Sequence, residues 1–338
     1  MNSSILNQIL KNYEKKRLLA EKDLDFRKKS LYNKYPRLHE IDTELSKLGL
    51  KTARNLLISN SNDLLTELNN KIDLLKKEKL DIIAQLNLPQ DYLKANYSCK
   101  LCNDTGYIYN NYNSTMCNCL KQELYNIEYN KSNISNLENQ NFDNFSFNYY
   151  SNIIDKSKYN SDISPRDNIG LIKNICLNFI NNFDNPNEKN LLFTGNTGLG
   201  KTFLSSCIAK EIIQNGKTVL YQTAPIMLDT IIDYKFNKNN SSSFSYKNLL
   251  DVDLLIIDDL GTESLNNIKF SELFNIINSR LLNQNGKVLK TIISTNLGLS
   301  QLNQTYGERI TSRLIGNYNI CRFFGEDIRF IKNSKLKQ

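Results

Sequence analysis

A short glycine-rich segment in the second half of the chain has the residue types and spacing of a phosphate-binding loop. Residues 195–202, GNTGLGKT, match the pattern G-x-x-x-x-G-K-[ST] at every fixed position. In such a loop, glycines let backbone N–H groups converge on phosphate oxygens, the lysine reaches the terminal phosphates, and the threonine hydroxyl binds Mg²⁺. A strand-like apolar run, LLFT, precedes the segment, and an amphipathic stretch follows it. The alternative is a chance glycine-rich turn. The predicted phosphate-site residues are Gly195, Asn196, Thr197, Gly198, Leu199, Gly200, Lys201 and Thr202.

Two carboxylates follow a second apolar run. Asp258 and Asp259 come directly after the residues LLII, which have the composition of a buried strand. In nucleoside triphosphatases with the loop described above, an acid at this place holds Mg²⁺, usually through water. We therefore assign Asp258 to the metal and Asp259 to polarising the attacking water. Alternatively, Asp259 caps the N-terminus of a helix that begins in the following residues.

Three further polar positions fit the same chemistry. Asn296 ends a third apolar run, TIIST, and would orient water beside the γ-phosphate, or would simply form the turn that ends a strand. Arg309 and Arg313 are four residues apart on one face of a predicted helix. Such a pair is either surface charge or an arginine finger that acts on the nucleotide of a neighbouring subunit. Arg329 could supply another phosphate contact.

Four cysteines form two close pairs. Cys99 and Cys102 are separated by two residues, and Cys117 and Cys119 by one. Two such pairs on a hairpin can close a tetrahedral Zn²⁺ site with no ligand position left for water, so the metal would stabilise the fold. A thioredoxin-like redox pair and an iron–sulfur cluster are alternatives. No βαβ pattern surrounds the cysteines, which disfavours the redox pair.

The elements that must position these residues alternate between short apolar runs and helical segments. The runs LLFT (191–194), TVLYQT (218–223), DLLIID (253–258) and LKTIIST (289–295) predict parallel strands with helices on both faces of the sheet. Residues 3–90 have the three- and four-residue apolar spacing of long amphipathic helices, interrupted at Pro36. We expect a helical hairpin or a short coiled coil there.

Composition excludes several classes of protein. The single histidine, His39, excludes catalysis by a histidine cluster, and no apolar run is long enough for a membrane span. The N-terminus lacks the apolar segment of a signal peptide, and the odd cysteine count disfavours a secreted disulfide scaffold, so we expect a cytoplasmic protein. The net charge of +8 comes from the two ends of the chain. It reflects either solvated helix faces or contact with an acidic partner such as a phosphate backbone.

Taken together, five segments resemble the AAA+ ATPase module of bacterial replicative helicase loaders of the DnaC/DnaI type. These are GNTGLGKT, LLIIDDLGTE, ISTN, YGERITSRLIGN and GEDIR, within about residues 140–332. The resemblance implies an α/β P-loop fold with a five-stranded parallel sheet, and ATP and Mg²⁺ as ligands. It places Lys201 and Thr202 in Walker A and Asp258 and Asp259 in Walker B. Its other matches are Asn296 with sensor 1, Arg313 with the finger, Arg309 close by, and Arg329 with sensor 2. Because nine residues follow Arg329, the resemblance is to the subgroup without a helical lid.

The cysteine pairs resemble the zinc-bearing linker of many such loaders, which implies Zn²⁺ bound by four cysteines. We predict a helical N-terminal domain (1–95), a zinc hairpin (96–125), a linker (126–165) and an ATPase domain (166–338). By resemblance, the first domain binds the hexameric replicative helicase, and the last binds single-stranded DNA and self-associates. The predicted function is ATP-dependent loading of that helicase onto single-stranded DNA, without membrane contact. The alternatives are an IstB-like transposition helper and a nucleotide-gated zinc adaptor with negligible turnover.

Overall fold

A computed structural model of the chain describes residues 3–58, 62–110, 113–128, 140–236, 243–264, 266–282 and 286–335. The chain forms two compact units, one of residues 8–115 and one of residues 1–7 together with 116–338. Residues 129–139 of the predicted linker lie outside the described residues. In the described part of the chain, no helix has the length and apolar character needed to cross a membrane.

The N-terminal region consists of three helices, which confirms its predicted helical character: α1 (Ser3–Lys34), α2 (Pro36–Ile58) and α3 (Asn62–Gln85). Pro36 begins α2, where its missing N–H costs no helical hydrogen bond. Much of the apolar spacing predicted for α3 is buried, in one cluster around Leu38 and Ile83 and in another around Ile41 and Leu75. On α1, by contrast, Leu18 and Leu19 are exposed.

A two-stranded antiparallel hairpin and a helix follow the helical region. The strands are β1 (Tyr107–Asn110) and β2 (Asn113–Met116), and the helix is α4 (Asn118–Glu128). The four paired cysteines lie just before β1 and just after β2.

Residues 116–338 contain a five-stranded parallel sheet covered by helices, as predicted. Along the sheet the strand order is β4-β5-β6-β3-β7. The strands are β3 (Asn190–Thr194), β4 (Val219–Thr223), β5 (Leu254–Leu260), β6 (Lys290–Thr295) and β7 (Tyr318–Arg322). The helices are α5 (Lys156–Tyr159), α6 (Pro165–Asn181), α7 (Lys201–Gln214), α8 (Ala224–Phe236), α9 (Ser243–Asp251), α10 (Asn267–Leu281), α11 (Leu299–Asn317) and α12 (Ile328–Lys335).

Both faces of the central strands are buried, because the middle residues of these strands are mostly apolar. On β5, Leu254 and Ile256 belong to the core on one face, and Leu255 and Ile257 belong to the core on the other. This alternation follows from the two-residue period of a strand. Since the strands are parallel, all their carboxyl ends lie at the same end of the sheet, where residues 195–202, Asp258, Asp259 and Asn296 are found.

The outer edge of β4 is covered by a side chain from α4. The carboxamide of Gln122 accepts a hydrogen bond from the Val219 N–H (2.6 Å) and donates one to the Val219 carbonyl (3.1 Å). These two bonds occupy main-chain groups that an edge strand otherwise leaves open to another chain.

Residues 140–164 belong to the unit that contains the five-stranded sheet and pack against its core. Phe145 and Tyr150 contact the core on one face of the sheet, and the Tyr150 hydroxyl donates to the Leu199 carbonyl in the phosphate-binding loop (3.0 Å). The described part of the predicted linker therefore forms part of the wall around that loop.

One buried arginine, Arg280, joins segments at the other end of the sheet, where β5 and β6 begin. The Arg280 guanidinium donates to the carbonyls of Leu249 (2.8 Å), Val252 (3.0 Å) and Lys290 (2.7 Å), and to the Thr291 hydroxyl (3.0 Å). Burial lowers the pKa of Arg280 to about 10. Its planar fork joins the carbonyls that end α9 to the start of β6, a geometry that a lysine cannot reproduce.

We expect Arg280→Lys to lower the free energy of unfolding by about 3 kcal/mol, because buried carbonyls lose their donors. Chemical denaturation of the full chain measures the change. Arg322→Lys is the matched control, since Arg322 also donates to main-chain carbonyls but is exposed. The control should change stability by less than about 0.5 kcal/mol. Equal effects at the two positions would contradict this account of Arg280.

Candidate nucleotide site

The phosphate-binding loop lies between β3 and α7, at the carboxyl edge of the sheet. Gly195 has a positive φ of 132°, and a Cβ there would lie 2.2 Å from the carbonyl oxygen of Phe323. The Phe323 N–H donates to the carbonyl of Thr194 (2.7 Å), so the chain after β7 runs directly against the loop. Only glycine permits this close approach. α7 begins at Lys201, so the loop leads into the positive end of a helix dipole.

Lys201 connects the loop to the end of β6. Its ammonium donates to the carbonyls of Gly195 (2.6 Å) and Asn196 (2.7 Å) and to Oδ1 of Asn296 (2.8 Å). Burial lowers the pKa of Lys201 to about 8, against the opposing effect of Asp259 and Asp258. The structure thus brings two predicted residues from separate motifs, Lys201 and Asn296, into direct contact.

The Asp258 carboxylate accepts hydrogen bonds from Thr202 on α7 and from a residue on each neighbouring strand. Its Oδ2 accepts hydrogen bonds from the Thr202 hydroxyl (3.1 Å) and the Tyr221 hydroxyl (2.7 Å), and its Oδ1 accepts one from the Ser294 hydroxyl. Tyr221 lies on β4 and Ser294 on β6, which flank β5 in the sheet. Burial raises the pKa of Tyr221, so its hydroxyl stays a donor. Sequence reasoning missed Tyr221 and Ser294, whose signal is a polar group inside an apolar run.

Asp259 has an unusual backbone conformation for a residue with a side chain. Its φ is +54°, in the left-handed region, and its N–H donates to Oδ1 of Asp258 (3.2 Å) and to the Ser294 hydroxyl (3.2 Å). Such conformations concentrate at functional sites. Burial and the adjacent Asp258 raise the pKa of the Asp259 carboxyl, whereas Lys201 opposes the shift. The helix-cap alternative is wrong, because Asn266 caps α10 through its side chain.

A cavity of about 640 Å³ adjoins these residues. Residues 197–203, Asp259 and Asn296 line this cavity. Phe145, Tyr149 and Tyr150 line another part. Gln140 also lines the cavity, and its buried Oε1 has no hydrogen-bond partner among the residues that the structure describes. A buried acceptor without a donor is costly, so this atom is suited to a donor group on a bound molecule. The cavity therefore offers phosphate-binding groups and an aromatic wall within one space.

Arg329 lies at the same cavity. The Ile328 N–H donates to the carbonyl of Gly198 (2.9 Å), which places the start of α12 on the phosphate-binding loop. Arg329 lines the cavity and is 72% exposed, with its Nε 3.8 Å from Oδ1 of Asp327. The predicted sensor 2 position is thus next to the phosphate-binding loop of its own chain.

Arg309 and Arg313 do not line this cavity. The Arg313 guanidinium lies 4.5 Å from the ring centroid of Phe274 and donates to Oδ1 of Asn278 (2.8 Å), both on α10. Arg309 is exposed, and its side chain has no hydrogen bond or ion pair to any residue that the structure describes. The two arginines therefore differ: Arg313 is held by its own chain, and Arg309 is accessible.

The four predicted metal-binding cysteines come together. Their Sγ atoms all lie within 4.8 Å of one another. The Asp104 carboxylate accepts from the N–H groups of Ser98 and Cys99 (both 2.8 Å), and the Gly106 N–H donates to Sγ of Cys102 (3.3 Å). This local network orients the first pair, and the cluster could hold a metal ion.

Comparison with known proteins agrees with the geometry. A family model described as "IstB-like ATP binding protein" matches residues 159–333, which is just over half of the chain. The chain belongs to this family. Its members are described as ATP-binding, which fits the phosphate-binding loop and the cavity described above.

Several relatives of this family member are replication proteins. The replicative helicase loader DnaC of Escherichia coli (strain K12) is 29% identical over 140 residues, covering 41% of this chain and 55% of DnaC. DnaC of Buchnera aphidicola subsp. Baizongia pistaciae (strain Bp) is 32% identical over 141 residues, with the same coverage. The chain thus spans about half the length of the DnaC proteins it matches.

Another relative has a different role. The putative insertion sequence ATP-binding protein y4pL of Sinorhizobium fredii (strain NBRC 101917 / NGR234) is 27% identical over 181 residues. These residues are 52% of this chain and 70% of y4pL. Among solved structures, the DnaC helicase loader has a TM-score of 0.44 at 24% identity, over 56% of this chain and 99% of the other. DnaI has a TM-score of 0.40 at 21% identity, over 52% and 95%.

We expect Lys201→Ala to weaken ATP binding by roughly 10- to 100-fold, the effect of losing charged hydrogen bonds to phosphate. Fluorescence titration with a labelled ATP analogue measures the affinity. Lys210→Ala, further along α7, is the control and should bind like the wild type. An affinity within about twofold of wild type for Lys201→Ala would contradict the placement of phosphate at this loop.

Proposed function

We propose that this protein binds ATP with Mg²⁺ in the cavity and hydrolyses the ATP, releasing its terminal phosphate. One observation carries the proposal: Lys201 contacts Asn296, and Thr202 contacts Asp258, so three separate sequence motifs meet at one point. Backbone N–H groups of residues 195–202 would bind the phosphates, with the Lys201 ammonium at the β- and γ-phosphates.

The residues suit Mg²⁺. The Thr202 hydroxyl and the Asp258 carboxylate are oxygen donors, which this ion prefers, and these two oxygens lie 3.1 Å apart. When bound, the ion would neutralise charge on the phosphates. Tyr221 and Ser294 would keep the Asp258 carboxylate oriented toward it.

Three side chains are assigned to the hydrolytic step. Asp259 polarises the attacking water, Asn296 orients it beside the γ-phosphate, and Arg329 adds positive charge from α12. The strained backbone of Asp259 and its place on the cavity support this role. The raised pKa of its carboxyl would favour proton acceptance.

One of the two arginines of α11 would act on another copy of the chain. Neither Arg309 nor Arg313 lines the cavity of its own chain, as a finger that works between subunits requires. Arg313 was the match in the family motif, but Phe274 and Asn278 already hold its guanidinium. Exposed Arg309 is therefore available to reach a neighbouring nucleotide, with Arg313 supporting the helix beside it.

We expect Arg309→Ala to bind ATP normally but to hydrolyse it at least tenfold more slowly; fingers in other P-loop systems contribute about 10³–10⁵ in rate. Mixing Arg309→Ala with Lys201→Ala should restore part of the hydrolysis, because each variant supplies the half-site that the other lacks. Steady-state phosphate release measures both effects. If a co-assembled mixture stays inactive, the role between subunits fails. Arg313→Ala is tested in parallel and should lose activity together with stability.

The cysteine cluster is proposed to hold one Zn²⁺. Zn–S bonds of about 2.3 Å place tetrahedral sulfurs about 3.8 Å apart, which agrees with four Sγ atoms within 4.8 Å. Four thiolates leave no position for water, so the ion would stabilise the hairpin and take no part in chemistry.

We expect purified full-length protein to contain about one equivalent of zinc, and Cys102→Ser to lose it. Elemental analysis measures the metal, and proteolysis within residues 95–125 reports the loss of local structure. Cys321→Ser, at a buried cysteine outside the cluster, should keep the zinc. Iron instead of zinc, or no metal in protein purified without chelator, would overturn this assignment.

For the biological role, we propose a cytoplasmic loader that delivers the hexameric replicative helicase onto single-stranded DNA. The DnaC relatives support it, as does the helical N-terminal region, which would bind the helicase while the ATPase domain self-associates and binds DNA. The alternative is a transposition helper, which the y4pL match over a longer alignment favours.

The two roles are separated by a loading assay. The full-length protein is mixed with the purified replicative helicase of the same organism and a closed circular single strand carrying an annealed oligonucleotide. A loader should increase unwinding in the presence of ATP, and Lys201→Ala should not. Failure to bind or load the helicase, together with binding to a purified transposase of an insertion sequence, would favour the helper.

A further inference from the structure

The carboxylate of Glu263 links two segments that carry proposed catalytic residues. Glu263 lies in the turn after β5, four residues beyond Asp259, and it is buried. One of its oxygens, Oε2, accepts a hydrogen bond from the Gly261 N–H (2.9 Å). The other, Oε1, accepts one from the Tyr306 hydroxyl on α11. Both carboxylate oxygens are therefore engaged, each with a different segment.

On one side of this link is the turn that holds Asp259. The Asp259 carbonyl accepts hydrogen bonds from the hydroxyl (2.8 Å) and the N–H (3.3 Å) of Thr262, and both residues line the cavity. Gly261 has a φ of +102°, and a Cβ there would lie 2.7 Å from Cδ1 of Leu297. The turn packs directly against Leu297, and its anchor at Glu263 helps to set the position of Asp259.

On the other side is the part of α11 that carries the arginines. Tyr306 is fully buried and directly precedes Gly307, where φ 71° and ψ 171° break the helix. Arg309 and Arg313 follow this break. Burial raises the pKa of Tyr306, and the contact with Glu263 raises it further, so the tyrosine is the donor and Glu263 the charged acceptor.

We propose that Glu263 is a positioning residue that couples Asp259 to the arginine-bearing end of α11 through the Tyr306 hydroxyl. A neighbouring copy that contacts Arg309 would displace the segment after Gly307, and the Glu263 link would transmit that displacement to the Asp259 turn. Hydrolysis in one chain would then respond to what its own arginines touch. This inference rests on the proposed role of Asp259 in ATP hydrolysis.

A contact that only stabilises the fold would give a different pattern of effects. Its loss would lower stability and reduce ATP binding and turnover together. Loss of a positioning contact leaves the phosphate-binding loop intact, because Glu263 and Tyr306 do not line the cavity. The two roles are therefore distinguished by measuring ATP affinity and kcat separately for each variant.

The test compares Tyr306→Phe, Glu263→Gln and the double variant with Tyr318→Phe. The control is Tyr318, a buried tyrosine at the start of the edge strand β7, where it pairs with the first residue of β3. We expect Tyr306→Phe and Glu263→Gln to keep ATP affinity within about twofold of wild type and to lose at least about tenfold in kcat. The double variant should be no slower than the slower single variant, since both remove the same link. The control should keep both parameters.

Tyr306→Phe removes one hydroxyl and decides the question alone if Glu263→Gln does not fold. Unchanged kcat in folded Tyr306→Phe, or losses that multiply in the double variant, would overturn the proposal. Hydrogen exchange gives a readout independent of turnover. In Tyr306→Phe, exchange should rise in residues 259–264 as well as in 306–313, and a rise confined to 306–313 would also overturn it. A wild-type protein that binds ATP but shows no hydrolysis would refute the proposed function, whereas the exchange result would still test the link.

Discussion

The buried carboxylate of Asp258 is the interaction on which the nucleotide site depends. Removing a carboxylate from water is costly unless hydrogen-bond donors surround it. Here the donors come from three directions: Thr202 on α7, Tyr221 on β4 and Ser294 on β6. Satisfying this one group therefore requires the phosphate-binding loop and two flanking strands to be in register with β5. The geometry of the site and the register of the central strands therefore depend on each other.

Strand order explains how distant motifs become neighbours. β6 lies between β5 and β3, although β4 and β5 both intervene in sequence between β3 and β6. Asn296, directly after β6, is thereby placed between the acids that end β5 and Lys201, which follows β3. In parallel α/β sheets, ligands bind at the carboxyl ends of the strands, where such reversals of order open a crevice. The cavity beside Lys201 is at this location.

Burial shifts the pKa values of Lys201 and Asp259, two oppositely charged groups of the site, in opposite directions. Burial lowers the pKa of Lys201 and raises that of Asp259, while each group opposes the shift of the other. A bound phosphate would favour the charged lysine, whereas the acid is suited to accept a proton. In the proposed coupling, the link through Glu263 connects Asp259 to the part of α11 that carries the exposed Arg309.

Sequence alone was sufficient for the parts of the protein that depend on local pattern. The spacing of GNTGLGKT, the apolar runs that became β3 to β6 and the amphipathic N-terminal helices each carry their own signal, because periodicity and glycine geometry act over a few residues. The cysteine pairs likewise predicted their own cluster. The four strands predicted from their apolar runs were found within two residues of the expected bounds.

Tertiary structure alone decided which polar groups share one buried environment. Tyr221, Ser294 and Gln140 have no motif, since an isolated polar residue in a sequence does not show which carboxylate or cavity it will face. β7 also lacked a clear run of its own, and its place beside β3 depends on pairing over a long sequence separation. The family motif matched Arg313 with the finger, and the sequence does not show which of Arg309 and Arg313 is free to reach another chain. Packing of Arg313 on Phe274 separates them, because the contact depends on how α10 and α11 cross.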